Sequence, residues 1–273
     1  MALSPTPAEV RELARYLNEA SGIELDETKG YLFEARLGKL AFETGCESLS
    51  GLLEKARKDV SQKLRGALVD AVSTNETSFF REPAQFNLLA HDIFPRHFEK
   101  QDPKRLRIWC AAASTGQEIY SVAIVLKEML GSLVNYQLQI LGTDISGAVL
   151  ERASKGIFSQ LEVSRGLSAE RLSRHFTKKP EGYQICDELR SLSTFQKLNL
   201  LDATTALGKF DVILCRNVAI YFSAPNRAKL FQNLAQNMRS GGSLLVSMTE
   251  TLGSNCAPYT RRDFRGVTYY ERT

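Results

Sequence analysis

Several things are scarce in these 273 residues, and each scarcity excludes a class of protein. No stretch approaches the roughly 18 uncharged apolar residues that a membrane-spanning helix needs. The five cysteines (Cys46, Cys110, Cys186, Cys215, Cys256) are an odd number without a C-x-x-C pair, which argues against a disulfide framework and a zinc site. No metal is expected. The N-terminal run MALSPTPAEVRELAR has Glu9, Arg11 and Glu12 where a secretion signal needs its apolar core, so a cytoplasmic location is expected. No block of five or more like charges occurs, so neither a basic tail nor a nucleic-acid patch can be read from the chain. Internal repeats and low-complexity segments are absent as well.

What is present suits a folded protein of one large or two modest domains, with 43% apolar and 24% charged residues. The net charge of +4 hides a split: residues 1–80 carry −3 and residues 81–273 carry +7. The first ~80 residues read as four short helices forming a small bundle. Pro7 stands near the first helix start, and Val10, Leu13, Ala14 and Leu17 recur at helical spacing up to Gly22. Asp26 is a candidate N-cap for a second helix carrying Tyr31, Phe33, Leu37 and Leu40 and closed by Gly45. Segments near 48–57 and 60–72 supply the other two.

From residue 104 the pattern changes. RLRIWCAAA, LQILGTDI, FDVILCRN and SLLVSM are short apolar runs of the kind that buried parallel strands produce. Helical stretches at 117–130, 146–155 and 225–239 separate them, which implies a doubly wound α/β sheet. Between 156 and 198 a helix near 168–175 and short strands at Gly182–Cys186 and Ser193–Lys197 read as a small antiparallel insertion, near 176–197.

In such sheets ligands bind beyond the carboxyl ends of the strands. The first strand is followed by Ala111-Ala-Ala-Ser-Thr-Gly-Gln-Glu-Ile-Tyr120, where Gly116 permits close approach to the backbone. No G-x-G-x-x-G is present, and Glu118 opening the next helix would repel a pyrophosphate. A ligand with a positive centre and no phosphate fits better, and S-adenosylmethionine (SAM) is one. Asp144, ending the second strand, suits ribose hydroxyls, although it is equally suited to cap the following helix. Asn199 and Leu200 lie where a third strand would end, placed for an adenine edge and face. Asn217 follows the fourth strand, where the reactive end of the ligand belongs. Taken singly, Asn217 reads as a turn residue, Tyr221 as packing and Gly116 as a strand end.

Taken together, the strings resemble the CheR family of chemotaxis receptor methyltransferases. They are Thr74-Asn-Glu-Thr-Ser-Phe-Phe-Arg-Glu82, Ala111 to Tyr120, Thr143-Asp-Ile145 and Phe210-Asp-Val-Ile-Leu-Cys-Arg-Asn-Val-Ala-Ile-Tyr-Phe222. The resemblance implies a Rossmann-like class I SAM-methyltransferase sheet with a small antiparallel β insertion, preceded by an all-α N-terminal domain. The expected boundaries are 1–74 for the helical domain, 75–97 for a linker contributing to the cofactor site, and 98–273 for the SAM-binding α/β domain. By motif position the cofactor contacts would be Asn75, Thr77, Arg81, Glu118, Asp144, Asn199, Leu200, Asn217 and Val218, with Arg81 and Tyr221 as catalytic residues. Two strings depart from the family: its G-E-E-P-Y-S reads Gly116-Gln-Glu-Ile-Tyr-Ser121 here, and its G-H-S-E reads Ser247-Met-Thr-Glu250.

The implied reaction moves a methyl group from SAM to glutamate side chains on the cytoplasmic helices of a chemoreceptor. It yields glutamyl methyl esters and S-adenosylhomocysteine, in chemotaxis adaptation. Ionised glutamate needs no general base, so His91, His97 and His175 read as structural or surface residues. Lys29, Arg36 and Lys39, at i, i+7 and i+10, share roughly one helix face, which the family resemblance turns into a receptor-docking face. Some family members dock a receptor pentapeptide on the insertion; the short stretch from His175 to Gly182 favours an enzyme that does not. A monomer is the expected state. The competing readings are a SAM-dependent methyltransferase of another substrate and a non-catalytic SAM-sensing module.

Overall fold

The computed structural model describes residues 5–25, 28, 30–99, 104–253 and 258–273. They divide into two compact units: residues 1–74 with 221–228, and residues 75–220 with 229–273.

The smaller unit is helical. Its first helix, α1 (Pro7–Ser21), begins on a capping box in which the Thr6 hydroxyl accepts from the Glu9 N–H and the Glu9 carboxylate accepts from the Thr6 N–H. Gly22, at φ 79°, ends it in the left-handed conformation that glycine adopts at least cost. Three helices follow: α2 (Gly30–Glu43), α3 (Leu49–Lys58) and α4 (Lys63–Val72). Leu13, Leu17, Phe33, Leu37, Leu52, Leu53 and Leu68 form the core, each contributing about 1.5–3 kcal/mol through burial. Tyr31, expected on α2 beside Phe33, Leu37 and Leu40, is exposed, as is Phe42. The cap expected at Asp26 lies outside the described residues.

The larger unit opens with helices where a linker was expected. Pro83–Leu88 (α5), a π-turn over Leu89–Ile93 and Phe94–Glu99 (α6) bury Phe86, Leu88, Leu89, Ile93, Phe94 and Phe98. Residues 75–97 therefore belong to the larger folded unit. After them the chain alternates β1 (Arg105–Ala111), α7 (Gln117–Leu130), β2 (Gln137–Asp144) and α8 (Gly147–Lys155). The next segment holds β3 (Ile157–Phe158), α9 (Gln160–Ser164), α10 (Ala169–His175), β4 (Phe176–Lys179), β5 (Gly182–Ile185) and α11 (Asp187–Arg190). The remainder is β6 (Ser193–Lys197), β7 (Phe210–Leu214), α12 (Ala224–Gln236), β8 (Met238–Leu245), β9 (Tyr259–Phe264) and β10 (Val267–Arg272).

Seven strands make the main sheet in the order β6-β2-β1-β7-β8-β10-β9. The first five run parallel, and the β9–β10 hairpin closes the edge antiparallel. The expected Rossmann-like sheet is thus present, and its order reverses between β1 and β7, the place where such sheets bind ligands. Three expectations change. Ser193–Lys197 is not in the insertion but is the parallel edge strand of the main sheet, beside β2. The separate antiparallel sheet is β3-β5-β4, spanning Ile157–Ile185. The last long helix ends at Gln236, because Asn237 turns its side chain to the Thr204 and Gly208 carbonyls and β8 starts at Met238.

Candidate functional site

The turn after β1 is held by backbone bonds to the neighbouring strand end: Ala112 and Ala113 N–H both donate to the Thr143 carbonyl, at 2.9 and 2.8 Å. Left-handed backbone recurs through it, at Ala112 (φ 82°), Ser114 (φ 48°) and Gly116 (φ 98°). Two of these are non-glycine residues, and such strain gathers where a structure must present its backbone to a ligand. At Gly116 a Cβ would also sit 3.0 Å from the Cβ of Ala153 in α8. Gly116 therefore does more than end a strand.

Asp144, at the end of β2, is buried. One carboxylate oxygen accepts the Ser114 N–H at 2.9 Å, the other the Ser146 N–H at 3.0 Å. Ser146, whose hydroxyl accepts from Val149 N–H, is the cap of α8. The capping role left open for Asp144 thus belongs to Ser146, two residues on, and Asp144 ties the two strand-end turns together. Beyond β6, Leu198 N–H donates to the Asp144 carbonyl and Asn199 Oδ1 accepts from Leu201 N–H at 3.0 Å. Leu200 is buried, its carbonyl held by Asn233.

Arg216, two residues past the end of β7, is the centre of a buried charge network. Its side chain is 2% exposed and pairs with Glu118 at 2.7 Å and Glu82 at 3.1 Å, while also donating to the Arg81 carbonyl. Burial disfavours its charge, but the Glu118 and Glu82 carboxylates outweigh that and hold the guanidinium above its ordinary value. Glu82 accepts the Ser247 hydroxyl at 2.6 Å and the Met248 N–H at 3.2 Å. Burial would raise its pKa; the Ser247 hydrogen bond and Arg216 together lower it. Burial, reinforced by Glu118, pushes the Cys110 thiol well up, and burial with Glu250 does the same for Cys215. Neither thiol is a nucleophile or a base at neutral pH.

Two family descriptions cover nearly all of the chain: "CheR methyltransferase, all-alpha domain" over residues 8–73 and "CheR methyltransferase, SAM binding domain" over residues 75–264. The protein belongs to the CheR methyltransferase family. Chemotaxis protein methyltransferase Cher2 of Pseudomonas putida is 38% identical over 87% of this chain and 88% of its own. Chemotaxis protein methyltransferase 1 of Pseudomonas aeruginosa is 38% identical over 88% of both, and the chemotaxis protein methyltransferase of Vibrio parahaemolyticus 37% over 92% of both. SAM is the cofactor of this CheR domain.

Within the SAM-binding unit the structure brings the turn at Ser114, Asp144 and Asn75 together, since the Ser114 hydroxyl donates to the Asn75 carbonyl at 3.0 Å. Glu118 and the Arg81 backbone meet on Arg216, and Asn217 and Val218 follow it directly. Thr77 and Arg81 are half-buried, with the Arg81 guanidinium on the Glu76 carbonyl at 3.1 Å. Phe79 packs edge-on to Phe158 and Phe176, and Phe80 N–H donates to the Ser121 hydroxyl, so the two phenylalanines of the motif anchor its polar residues. Tyr221 belongs to the helical unit: its carbonyl accepts from Glu24 N–H at 2.8 Å, and Phe222 bridges Ile23. Of the three helix cations, Lys29 lies outside the described residues. Arg36 is half-buried and donates to the Val72 carbonyl at the end of α4, and Lys39 is exposed, paired with Glu43 at 3.5 Å. Reading the sequence left Glu82, Arg216 and Glu250 without roles. All three stand inside the quoted strings, and for Glu82 and Arg216 a charge abutting an apolar run was the available signal.

Proposed function

We propose that this protein transfers the methyl group of SAM to glutamate carboxylates on the cytoplasmic helices of a chemoreceptor. The products are glutamyl methyl esters and S-adenosylhomocysteine, in chemotactic adaptation, and a cytoplasmic monomer does the work. One observation carries this reading. Among the described residues, the strand ends present carboxylates, amides and arginine but no histidine, and the thiols there are held protonated. A site without a base suits an acceptor that arrives already ionised, as glutamate does with a pKa of about 4.3.

The donor set fits the cofactor. Glu82 and Glu118 share one buried guanidinium, an excess of negative charge that favours a sulfonium and an ammonium and opposes a pyrophosphate. When bound, SAM supplies an electrophilic methyl on its sulfonium. Asp144 accepts ribose hydroxyls on oxygens that the Ser114 and Ser146 N–H groups orient; an ionised carboxylate has roughly four acceptor sites, more than these two use. Glu118, fixed by Arg216, receives the amino group, and Asn199 and Leu200 hold the adenine edge and face. Asn75, Thr77, Asn217 and Val218 complete the cofactor contacts. Arg81 holds the cofactor's carboxylate or orients the incoming glutamate through paired N–H donors. The task of these residues is alignment and removal of water from the carboxylate.

Incubation with tritiated SAM and receptor-containing membranes should give base-labile methyl esters on the receptor. Label in nucleic acid or small molecules, or binding without transfer, refutes the assignment. Asp144→Asn is expected to raise the SAM Kd about 10–100-fold, because an amide nitrogen would then face a buried N–H, at roughly 1–3 kcal/mol; calorimetry reads it. On the helical unit Lys39→Glu is the informative docking variant, since Arg36 also supports α4. It should raise the receptor KM by about three- to tenfold at low salt, as rim charges act chiefly on association, with SAM affinity unchanged.

A further inference from the structure

Past Leu214 the β7 ladder runs out. Cys215 N–H still reaches the Leu245 carbonyl, but the next residues turn away, with Asn217 at φ 57°. The backbone donors of that loop find one acceptor. Glu250 Oε2 takes the N–H of Asn217 at 2.8 Å and of Ser247 at 3.0 Å; Oε1 takes the N–H of Val218 at 3.0 Å and of Ile220 at 3.3 Å. Four backbone donors thus share a single carboxylate, three of them from residues 217–220.

The loop that carries Glu250 is fixed in turn. Glu82 accepts the Ser247 hydroxyl and the Met248 N–H, and Glu82 pairs with Arg216, the residue before Asn217. Side chain and backbone therefore close a ring through Arg216, Glu82, Ser247, Glu250 and Asn217. Such a ring holds the 216–220 backbone from both sides. It survives the replacement of the family's G-H-S-E by Ser247-Met-Thr-Glu250, because only the glutamate and backbone N–H groups of that string enter it, with the Ser247 hydroxyl added.

We propose that Glu250 is a positioning residue of the methyl transfer, holding Asn217 and Val218 in register with the cofactor without touching it. The inference rests on the reading of Asn217 and Val218 as cofactor contacts. Acceptors on both oxygens are required of it, and an amide in its place turns one position into a donor facing N–H groups. Loop misplacement of this kind weakens the cofactor site by altering geometry, and small displacements there have large effects.

The test compares Glu250→Gln and Glu250→Asp with the full-length wild-type enzyme, reading SAM Kd by calorimetry and SAM KM and acceptor KM by methyl transfer to receptor membranes. The expected result is a SAM Kd and KM raised at least tenfold in Glu250→Gln and a few-fold in Glu250→Asp, with the acceptor KM unchanged. A merely structural contribution would lower the melting temperature and the active fraction while leaving the SAM KM alone. Should Glu250→Gln fail to fold, Glu250→Asp decides; a wild-type SAM KM in either folded variant overturns the proposal. Asn217→Ala, which keeps the N–H to Glu250, separates the two readings. If it leaves SAM affinity intact, the direct contact assigned to the Asn217 side chain fails, and the Glu250 variants still judge the positioning role by themselves.

Discussion

Arg216→Met is expected to destabilise the catalytic unit by about 3 kcal/mol and to remove most SAM binding. Breaking a buried ion pair from one side costs roughly 3–5 kcal/mol, because the partner charge is left uncompensated. The lower end applies, as Glu82 and Glu118 keep 18% and 12% of their side-chain surface in solvent. Methionine fills much of the space but gives the Arg81 carbonyl no donor. Urea unfolding followed by fluorescence is the direct measurement: the single tryptophan, Trp109, is fully buried in β1 and reports on this unit. Adding Glu82→Gln should restore part of the loss. The acid limb changes too. Glu82 titrates below its ordinary 4.5, so the stability it contributes is full above that value and is lost as pH falls through the folded-state value. Without Arg216 that limb becomes shallower. Unchanged stability in Arg216→Met would show that the network contributes nothing net.

Gly166→Ala should have an effect of similar size by a different route. Gly166 lies between α9 and α10 at φ 97°, and a Cβ there would fall 1.8 Å from the Phe79 carbonyl oxygen. Backbone, not a flexible side chain, has to move. Strain at such a φ amounts to about 1–3 kcal/mol, and the displaced carbonyl adds to it. A loss of about 3 kcal/mol corresponds to roughly 6–12 °C in Tm for a unit of this size. Phe79 anchors the segment from Asn75 to Arg81, so SAM affinity should fall with stability. Calorimetric melting and SAM titration together check this; a variant that melts like the wild type would mean that the α9–α10 connection yields without disturbing the motif.

Legibility from sequence followed burial. All five residues of β7 are buried, Asp211 included, and β1 and β2 are mostly buried in their second halves, so Val212-Ile-Leu, Ile108-Trp-Cys-Ala and Ile140-Leu-Gly read as short apolar runs. The edge strand β6 has one face open, so Ser193-Thr-Phe-Gln-Lys carries a weak signal and was drawn into the insertion. The β9–β10 hairpin, with Tyr-Thr-Arg-Arg-Asp-Phe on the outer strand, has charged residues along an exposed edge and escaped notice. Residues 83–99 pack as helix against the core, where the expectation for 75–97 was a linker contributing to the cofactor site. In the candidate site, Asp144 and Glu118 were singled out because strand ends are where ligands bind. Glu250 was not, since its partners at 217–220 are some thirty residues away and are backbone groups, which no residue type announces. Ala112 and Ser114 hold left-handed backbone without glycine to mark it.

The helical unit is discontinuous in sequence: Tyr221–Ala228 completes what residues 1–74 begin. Ile23 pairs with Phe222, Glu24 N–H with the Tyr221 carbonyl, and the Asn226 amide with the Gly22 carbonyl. Chains are made from the N-terminus at about 5–20 residues per second. The connection after α1 must therefore wait for some two hundred further residues before its partners leave the ribosome, an interval of roughly 10–40 s at those rates. The first unit to be synthesised is among the last to be finished, and a fragment ending at residue 74 would never receive its closing segment.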